Sequence, residues 1–393
     1  MFARIERFSL PHDLVAVETE QTLAAFAILV GVGALVAIAR RRAIAGFAVS
    51  FQLRPTHLVP AVVQLLILAY WGAHWGGVGR QLAWIPAQIA FAYGCDALLA
   101  LAGADRWIVG LLPLPIVLSM NLFIWFDGGW FFFSYLLVAI AVASRALLLR
   151  ADGRHPCNPS ALAIGLFGAA FFALPDTYVD ISNQYSFAPN MWETLLLLSL
   201  VPLARFGLLP MSLAAVVGLG LAAWISPRGP NPWQPAFFLA LTLFAGDPAT
   251  APRTPPGRVL SGLALGLLVG ATSRLLVACH QHDFFSKVWP VLVVNALAPR
   301  FDRWGARLPA RLASLLGPRF RLAHAALWLV YLVRPGEIAQ AKTSHTFHAG
   351  LVEGYELPLI VREPDGAVLP EHNPIYCRSF SYLLEGRAWR ARR

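Results

Sequence analysis

Two short segments of this chain combine residue types that can do chemistry: His155-Pro156-Cys157-Asn158-Pro159-Ser160 and Gly246-Asp247-Pro248-Ala249-Thr250. Each sets Asn or Asp directly before a proline and ahead of an apolar run. Proline fixes φ and lacks an N–H, while Asn or Asp accepts from the free N–H groups at a helix start. The plainest reading is a pair of N-caps with proline at the first helical position. Half-helices that begin inside a membrane protein are also how ion and cofactor sites are made. On that reading Asn158, Pro159, Asp247, Pro248, Thr250 and Arg258 outline one polar pocket. Asp247 is then a working carboxylate, binding a cation or orienting the loop of Arg253 and Arg258.

Other polar residues stand inside apolar runs. Asp96 lies in AYGCDALLALAG and Arg274 in VGATSRLLVAC. An ionisable group at the centre of a span costs roughly 2.5–3.5 kcal/mol, so each is either paired or snorkelling near a span end, or it lines a site between helices. Asn121 and Asn295 are uncharged and suit hydrogen bonding between helices. His280 and His282 in CHQHD, like His345 and His348 further on, could ligate metal or haem. Their i, i+2 and i, i+3 spacings gather no further ligands, and they read as solvated histidines. Cys95, Cys157, Cys279 and Cys377 are too far apart for a disulfide framework or a metal site. The chain has no Walker loop, no GxGxxG entering a helix after a strand, no HExxH and no Ser-His-Asp signature.

The elements that must position these residues are membrane helices. Of the 393 residues 58% are hydrophobic and only 13% charged, with a mean hydropathy of +0.60. A soluble domain carries about 25% charged residues. Windows near the length of a bilayer span, about 20 residues, predict helices near 22–39, 58–76, 81–103, 107–126, 129–149, 160–175, 192–206, 208–225, 233–246, 257–279 and 288–299. The expected fold is all-α, a polytopic integral membrane protein of about eleven transmembrane helices. A further run, Ala323 to Val333, is too short to span and is read as interfacial or packed on the bundle. The net charge of +10 comes from arginines in connecting loops, where they hold topology rather than bind nucleic acid. Arg40 to Arg42 with Arg54, then Arg145, Arg150 and Arg154, then Arg253 and Arg258, then the arginines from Arg300 to Arg321 all fall on one side of an eleven-span chain. That side is cytoplasmic, so the C-terminus is inside and the N-terminus outside. Beyond Arg334 the tail is polar, with a strand-like ELPLIV from Glu356 to Val361.

The segment FFLALTLFAGDPATAPRTPPGRVLSGLALGLLVGATSRLL, followed by KVWPVLVVNALAPRFDRW, resembles the D subunit of the Rnf complex and the B subunit of the sodium-pumping NADH:quinone reductase. Asp247, Pro248, Thr250, Gly257, Arg258, Arg274, Asn295, Pro299 and Asp302 match that family's pattern in order and spacing. Upstream, HPCNPSALAIG matches at Pro156, Asn158, Pro159 and Ala161, and Asp96 falls where the family often has an acidic residue. The resemblance covers roughly 55–304. It leaves 1–54 as an N-terminal tail, extra helix and basic loop, and 305–393 as a basic segment with a C-terminal appendage.

The resemblance implies ten core helices in two inverted five-helix halves, in a bacterial cytoplasmic membrane. It also implies electron transfer through the membrane, with other membrane or extracytoplasmic redox subunits as partners. Family members attach an FMN through phosphate to a threonine of an S-G-A-T-like motif in an external loop. Here that loop reads LPDTYVDISNQYSFAPNMW. It lacks the motif, and Thr177, its one threonine, stands in the wrong context. Covalent FMN is therefore not expected; a non-covalent flavin, or no cofactor, is. Three functions stay open: a redox-associated membrane subunit, a transporter or channel for a small solute or ion, and a membrane anchor for partner proteins.

Overall fold

Proline marks where many of the helices begin. In the computed structural model Pro55, Pro113, Pro159, Pro235 and Pro255 are each the first residue of a helix, and Pro290 is the second. A missing N–H is harmless there, because the first-turn N–H groups have no intrahelical acceptor. The structure describes residues 12–74, 76–126, 128–149, 155–172, 178–181, 191–225, 235–279, 281, 283–309, 314–317, 320–330, 346–352 and 355–362.

Within these residues the α-helices of five or more residues are α1 (His12–Ala39), α2 (Pro55–Gly72), α3 (Gly76–Gly103), α4 (Pro113–Asn121), α5 (Phe132–Leu147), α6 (Pro159–Ala170), α7 (Met191–Phe206) and α8 (Leu209–Ile225). They continue with α9 (Pro235–Leu239), α10 (Pro255–Ala278), α11 (Trp289–Gly305) and α12 (Arg321–Val330). Among the described residues five segments are long and apolar enough to cross a membrane: Val15–Ala39, Pro55–Gly72, Gln81–Gly103, Gly128–Leu147 and Pro255–Ala278. They leave Val30, Leu35, Leu65 and Leu275 open to the surroundings, as helices facing lipid do and helices facing water rarely do. The architecture is mostly helical, as expected, and consistent with an all-α membrane protein.

Three elements differ from the sequence expectation. The first helix begins at His12 rather than near Thr22, because its polar start has partners. Buried Glu18 accepts from Trp84 Nε1 at 2.9 Å, Gln21 accepts from Phe132 N at 2.6 Å, and the Thr22 and Tyr135 hydroxyls meet at 2.9 Å. The span expected at 107–126 is not one helix. Arg106–Val109 is a strand paired in parallel with Ala48–Phe51, α4 covers only nine residues, and Ile124–Trp125 pairs antiparallel with Val179–Asp180. Pro113 and Pro115, tolerated only in a first helical turn, set the start of the helix at Pro113. The expected helix over 233–246 also changes character: after α9 the chain widens into a π-helical turn, Ala240–Phe244, closed by Ala245 N–H on Ala240 O at 2.9 Å.

The short run near the C-terminus packs on the bundle, the second of its two expected positions. Trp328 of α12 is fully buried, donates to Leu196 O of α7 at 3.2 Å, and lies 5.2 Å from the Phe238 ring. The tightest helix pair is α8 with α10, brought together by Gly262, Gly266 and Gly270 at four-residue intervals on α10. Small residues at that spacing let two backbones approach closely. Contacts divide the chain into a helical unit, 16–328, and a second unit of 1–15 with 329–393. The second unit contains an antiparallel hairpin, Thr346–Val352 with Tyr355–Arg362, so the strand-like ELPLIV is a strand.

Candidate functional site

Both Pro-containing turns open on one cavity of about 420 Å³. Asn158 is the N-cap of α6: its Oδ1 accepts from Ala161 N at 3.1 Å, and its Nδ2 donates to Phe244 O at 3.2 Å. The cap of one helix thereby holds the end of the π-helical turn. Asp247 comes just after that turn. Its Oδ1 accepts from Ala249 N at 2.9 Å, its Oδ2 from the Thr250 hydroxyl at 3.3 Å, and its carbonyl from Thr250 N and Ala251 N at 3.2 and 3.0 Å. Thr250 is buried beneath the turn and does not line the cavity. Asn158, Pro159, Asp247 and Pro248 all line it, so four of the six residues assigned to the pocket meet there.

Arg258 does not. It sits in the first turn of α10, where Nε donates to Pro252 O at 2.9 Å and Nη1 to Phe206 O and Gly207 O at 3.3 and 2.8 Å. Gly207 has φ of +69°, a left-handed conformation open to glycine that exposes this corner's carbonyls. Arg258 therefore fastens α10 to the α7–α8 corner. Beside it, Asp302 Oδ1 accepts from Thr254 N and the Thr254 hydroxyl at 2.8 and 2.9 Å, while Thr254 caps α10 through Gly257 N at 3.2 Å. Removing the guanidinium in Arg258→Gln is expected to cost on the order of 2–3 kcal/mol of stability, as charged hydrogen bonds do. Thermal denaturation in detergent should show the loss, with ligand affinity at the cavity unchanged.

The guanidinium on the cavity is Arg253, joined by Arg54 at the start of α2 and Arg145 at the end of α5. Arg145 Nη1 lies 3.8 Å from Asp96 Oδ1, and Asp96 Oδ2 accepts from Trp107 Nε1 at 2.9 Å. Asp96 is thus a paired residue that holds Arg145 and the Arg106–Val109 strand. Asn121 joins helices: its Oδ1 accepts from Gln81 at 2.6 Å and its Nδ2 donates to Gln88 Oε1 at 2.6 Å. Arg274 is exposed near the last turn of α10, and Asn295 is buried in α11; neither lines the cavity. His280, His282 and Thr177 lie outside the described residues.

The cavity also holds residues that the sequence does not single out. Gln64 is 4% exposed, and its Oε1 has no partner among the described residues; His57 Nδ1 and His155 Nδ1 are likewise buried without one there. Ser119 and Ser160 share a 2.6 Å hydroxyl contact on the wall. Gln64 does carry a sequence signal, because it interrupts the apolar run PAVVQLLILAY. Burial pushes the Asp247 carboxyl above the usual carboxylate range, against the lowering effects of Ala249 N–H, the Thr250 hydroxyl and His155. Burial, then the charge of Arg145, pushes His155 below the ordinary histidine value, so its ring is neutral at neutral pH.

Chemically, the arrangement offers positive charge, one carboxyl, and hydrogen-bonding atoms facing an apolar wall of Pro60, Leu112, Pro115 and Leu243. A cavity of this volume suits a small organic molecule. Comparison with protein-family models, with curated proteins and with solved structures finds no match to this chain.

Proposed function

We propose that the chain is a membrane subunit of a redox-associated complex, resembling the D subunit of the Rnf complex and the B subunit of the sodium-pumping NADH:quinone reductase, and that the cavity is its cofactor site. The observation carrying this reading is that Asn158 and Asp247, matched to the family from sequence, line one cavity although they are far apart in the chain. The order of packing supports the two inverted halves. Helix α2 packs on α7 and α6 on α11, while the α3–α5 and α5–α6 contacts of the first half recur as α8–α10 and α10–α11 in the second. The cavity lies at the starts of α2, α4 and α6 but at the ends of α7 and the π-helical turn. Equivalent elements therefore run in opposite directions.

The lining fits a non-covalent flavin. Gln64, His57 and His155 offer unpaired hydrogen-bonding atoms for a heterocycle edge, and prolines and leucine offer a flat apolar wall. The arginines favour a ring that gains negative charge on reduction. Bound there, a flavin would supply one- and two-electron transfer. The chain's own residues would orient it, and Asp247 would take or give a proton as the charge changes.

The expected result is that natively purified protein absorbs as a flavoprotein and releases all of its flavin on denaturation. No fluorescent band should remain on a denaturing gel, even with a flavin transferase co-expressed. A fluorescent band lost in Thr177→Ala would show that the external loop carries a covalent flavin after all. Protein without any flavin would sink the redox reading and favour the second one, a small-solute transporter, which the inverted layout around a polar cavity also suits. We further propose that the arginine-rich cavity face is cytoplasmic. A reporter active only outside the cytoplasm should be active when inserted after Asn183 and silent after Arg150. The reverse pattern would overturn that orientation.

A further inference from the structure

We infer that the mouth of this cavity is an oxyanion site, so that the molecule it takes carries a phosphate-like group. The inference rests on the cavity being a ligand site, but not on the ligand being a flavin.

Three guanidinium groups, Arg54, Arg145 and Arg253, line the cavity against the single carboxylate of Asp247. Arg145 is partly neutralised by Asp96 at 3.8 Å. Arg54 and Arg253 are exposed at the rim, and neither has a carboxylate within ion-pair distance among the described residues. Arg54 donates instead to the neutral Gln52 Oε1 at 2.7 and 3.1 Å. Unpaired arginines grouped on a concave surface are the usual means of gripping phosphate, through planar N–H pairs and a focused positive field.

The backbone adds to this charge. Helix α2 begins at the cavity without a side-chain cap, and Thr56, which lines the wall, carries the first-turn N–H that no helix carbonyl meets. A helix start carries partial positive charge, which favours an anion. An independent sign of a ligand is Gln64, 4% exposed yet with an amide oxygen that no group among the described residues satisfies. A buried acceptor without a partner is costly, and a molecule seated on the cavity wall with its anion at the rim would relieve it. The sequence alone suggests a cation at Asp247; the surplus of guanidinium groups argues for the opposite charge.

The anion has two sources to distinguish, a free inorganic oxyanion and the phosphate of a larger ligand. The test uses the full chain in phosphatidylcholine nanodiscs, with radiolabelled inorganic phosphate in equilibrium dialysis and with FMN and riboflavin followed by fluorescence. The comparison variant is Arg54→Gln with Arg253→Gln, both rim positions that fasten no helix. We expect saturable phosphate binding that weakens at least tenfold in the double variant. We also expect FMN to bind at least tenfold tighter than riboflavin and to displace phosphate, a preference the double variant loses. Phosphate binding that neither flavin disturbs would identify a free oxyanion as the occupant; the site would stand and the flavin reading would fall. If wild type and double variant behave alike toward phosphate, and FMN and riboflavin bind equally, the oxyanion site is overturned, while equal binding of both would leave the flavin reading intact.

Discussion

Gly266→Leu is expected to abolish recovery of folded protein from the membrane. A β-carbon at Gly266 would meet Ala215 O, with Leu219 N at 2.5 Å and the Gly218 carbonyl carbon at 2.9 Å. One turn earlier, a β-carbon at Gly262 would meet Met211 O; one turn later, at Gly270, it would meet the Ala222 side chain. From the other side, Gly218 of α8 faces Leu263 O of α10. The obstacles are mostly backbone, which cannot rotate away as a side chain can. Overpacking that side chains absorb costs about 1–3 kcal/mol; here the helix axes must separate, and the close packing of the whole α8–α10 pair is lost with them. That pair anchors its neighbours, because α10 also packs on α11 and through Thr254 and Asp302 fixes the turn that carries Arg253. The control is Gly220→Leu on α8, where nothing lies within 4 Å of the new β-carbon. Size-exclusion chromatography after detergent extraction should give a monodisperse peak for Gly220→Leu and little or none for Gly266→Leu. Equal peaks would show that the glycine stripe is not what holds these helices together.

That stripe is present in the sequence as SGLALGLLVGATS, yet hydropathy does not reveal it, because hydropathy registers how apolar a segment is and not which side of it must be thin. The same limit explains other differences. Apolar content alone predicts a helix across 107–126, while the prolines at 113 and 115 and the pairing of Arg106–Val109 with a strand far away divide it. Strand pairing is a tertiary property, and no local window contains it. The features that read correctly have a local cause: Asn-Pro as a helix start, Ala323 onward as a helix too short to span, ELPLIV as a strand.

The candidate site is half legible in the sequence. Asn158 and Asp247 stand out because their neighbours are prolines, and the arginines stand out as clusters between apolar runs. Arg54, Arg145 and Arg253 come from three of those clusters and line one cavity. Which arginine of a cluster faces the cavity is not legible, since Arg253 and Arg258 differ only in the backbone around Thr254. Arg258 turns to the carbonyls of the α7–α8 corner because a helix begins under it; Arg253, one residue ahead of the cap, remains at the rim.

Asp247→Asn should separate function from stability, lowering one while sparing or raising the other. The fold keeps its use for the residue, since Asn supplies an acceptor for Ala249 N–H and can donate to the Thr250 hydroxyl in place of accepting from it. As a turn or cap, Asn serves about as well as Asp, and the whole contribution is only ~1 kcal/mol. What Asn cannot do is exchange a proton. The carboxyl of Asp247 is held above its ordinary range by burial, so the folded protein binds that proton more tightly than the unfolded chain. The associated stability is fully present at pH below the ordinary carboxylate range and is lost as pH rises through the raised value. Asn escapes that loss. In detergent, the melting temperature of Asp247→Asn should match wild type in acid and equal or exceed it at neutral and alkaline pH. Turnover should move the other way. If Asp247 passes protons to and from the cavity ligand, its removal costs roughly the 10²- to 10⁴-fold typical of a lost acid–base group, about enough to abolish complementation of a deletion strain. The cavity should keep its ligand, because the arginines that hold an anion are untouched. Full complementation by Asp247→Asn, with normal membrane yield, would reduce the residue to a structural cap and remove proton exchange from the proposed role of this site.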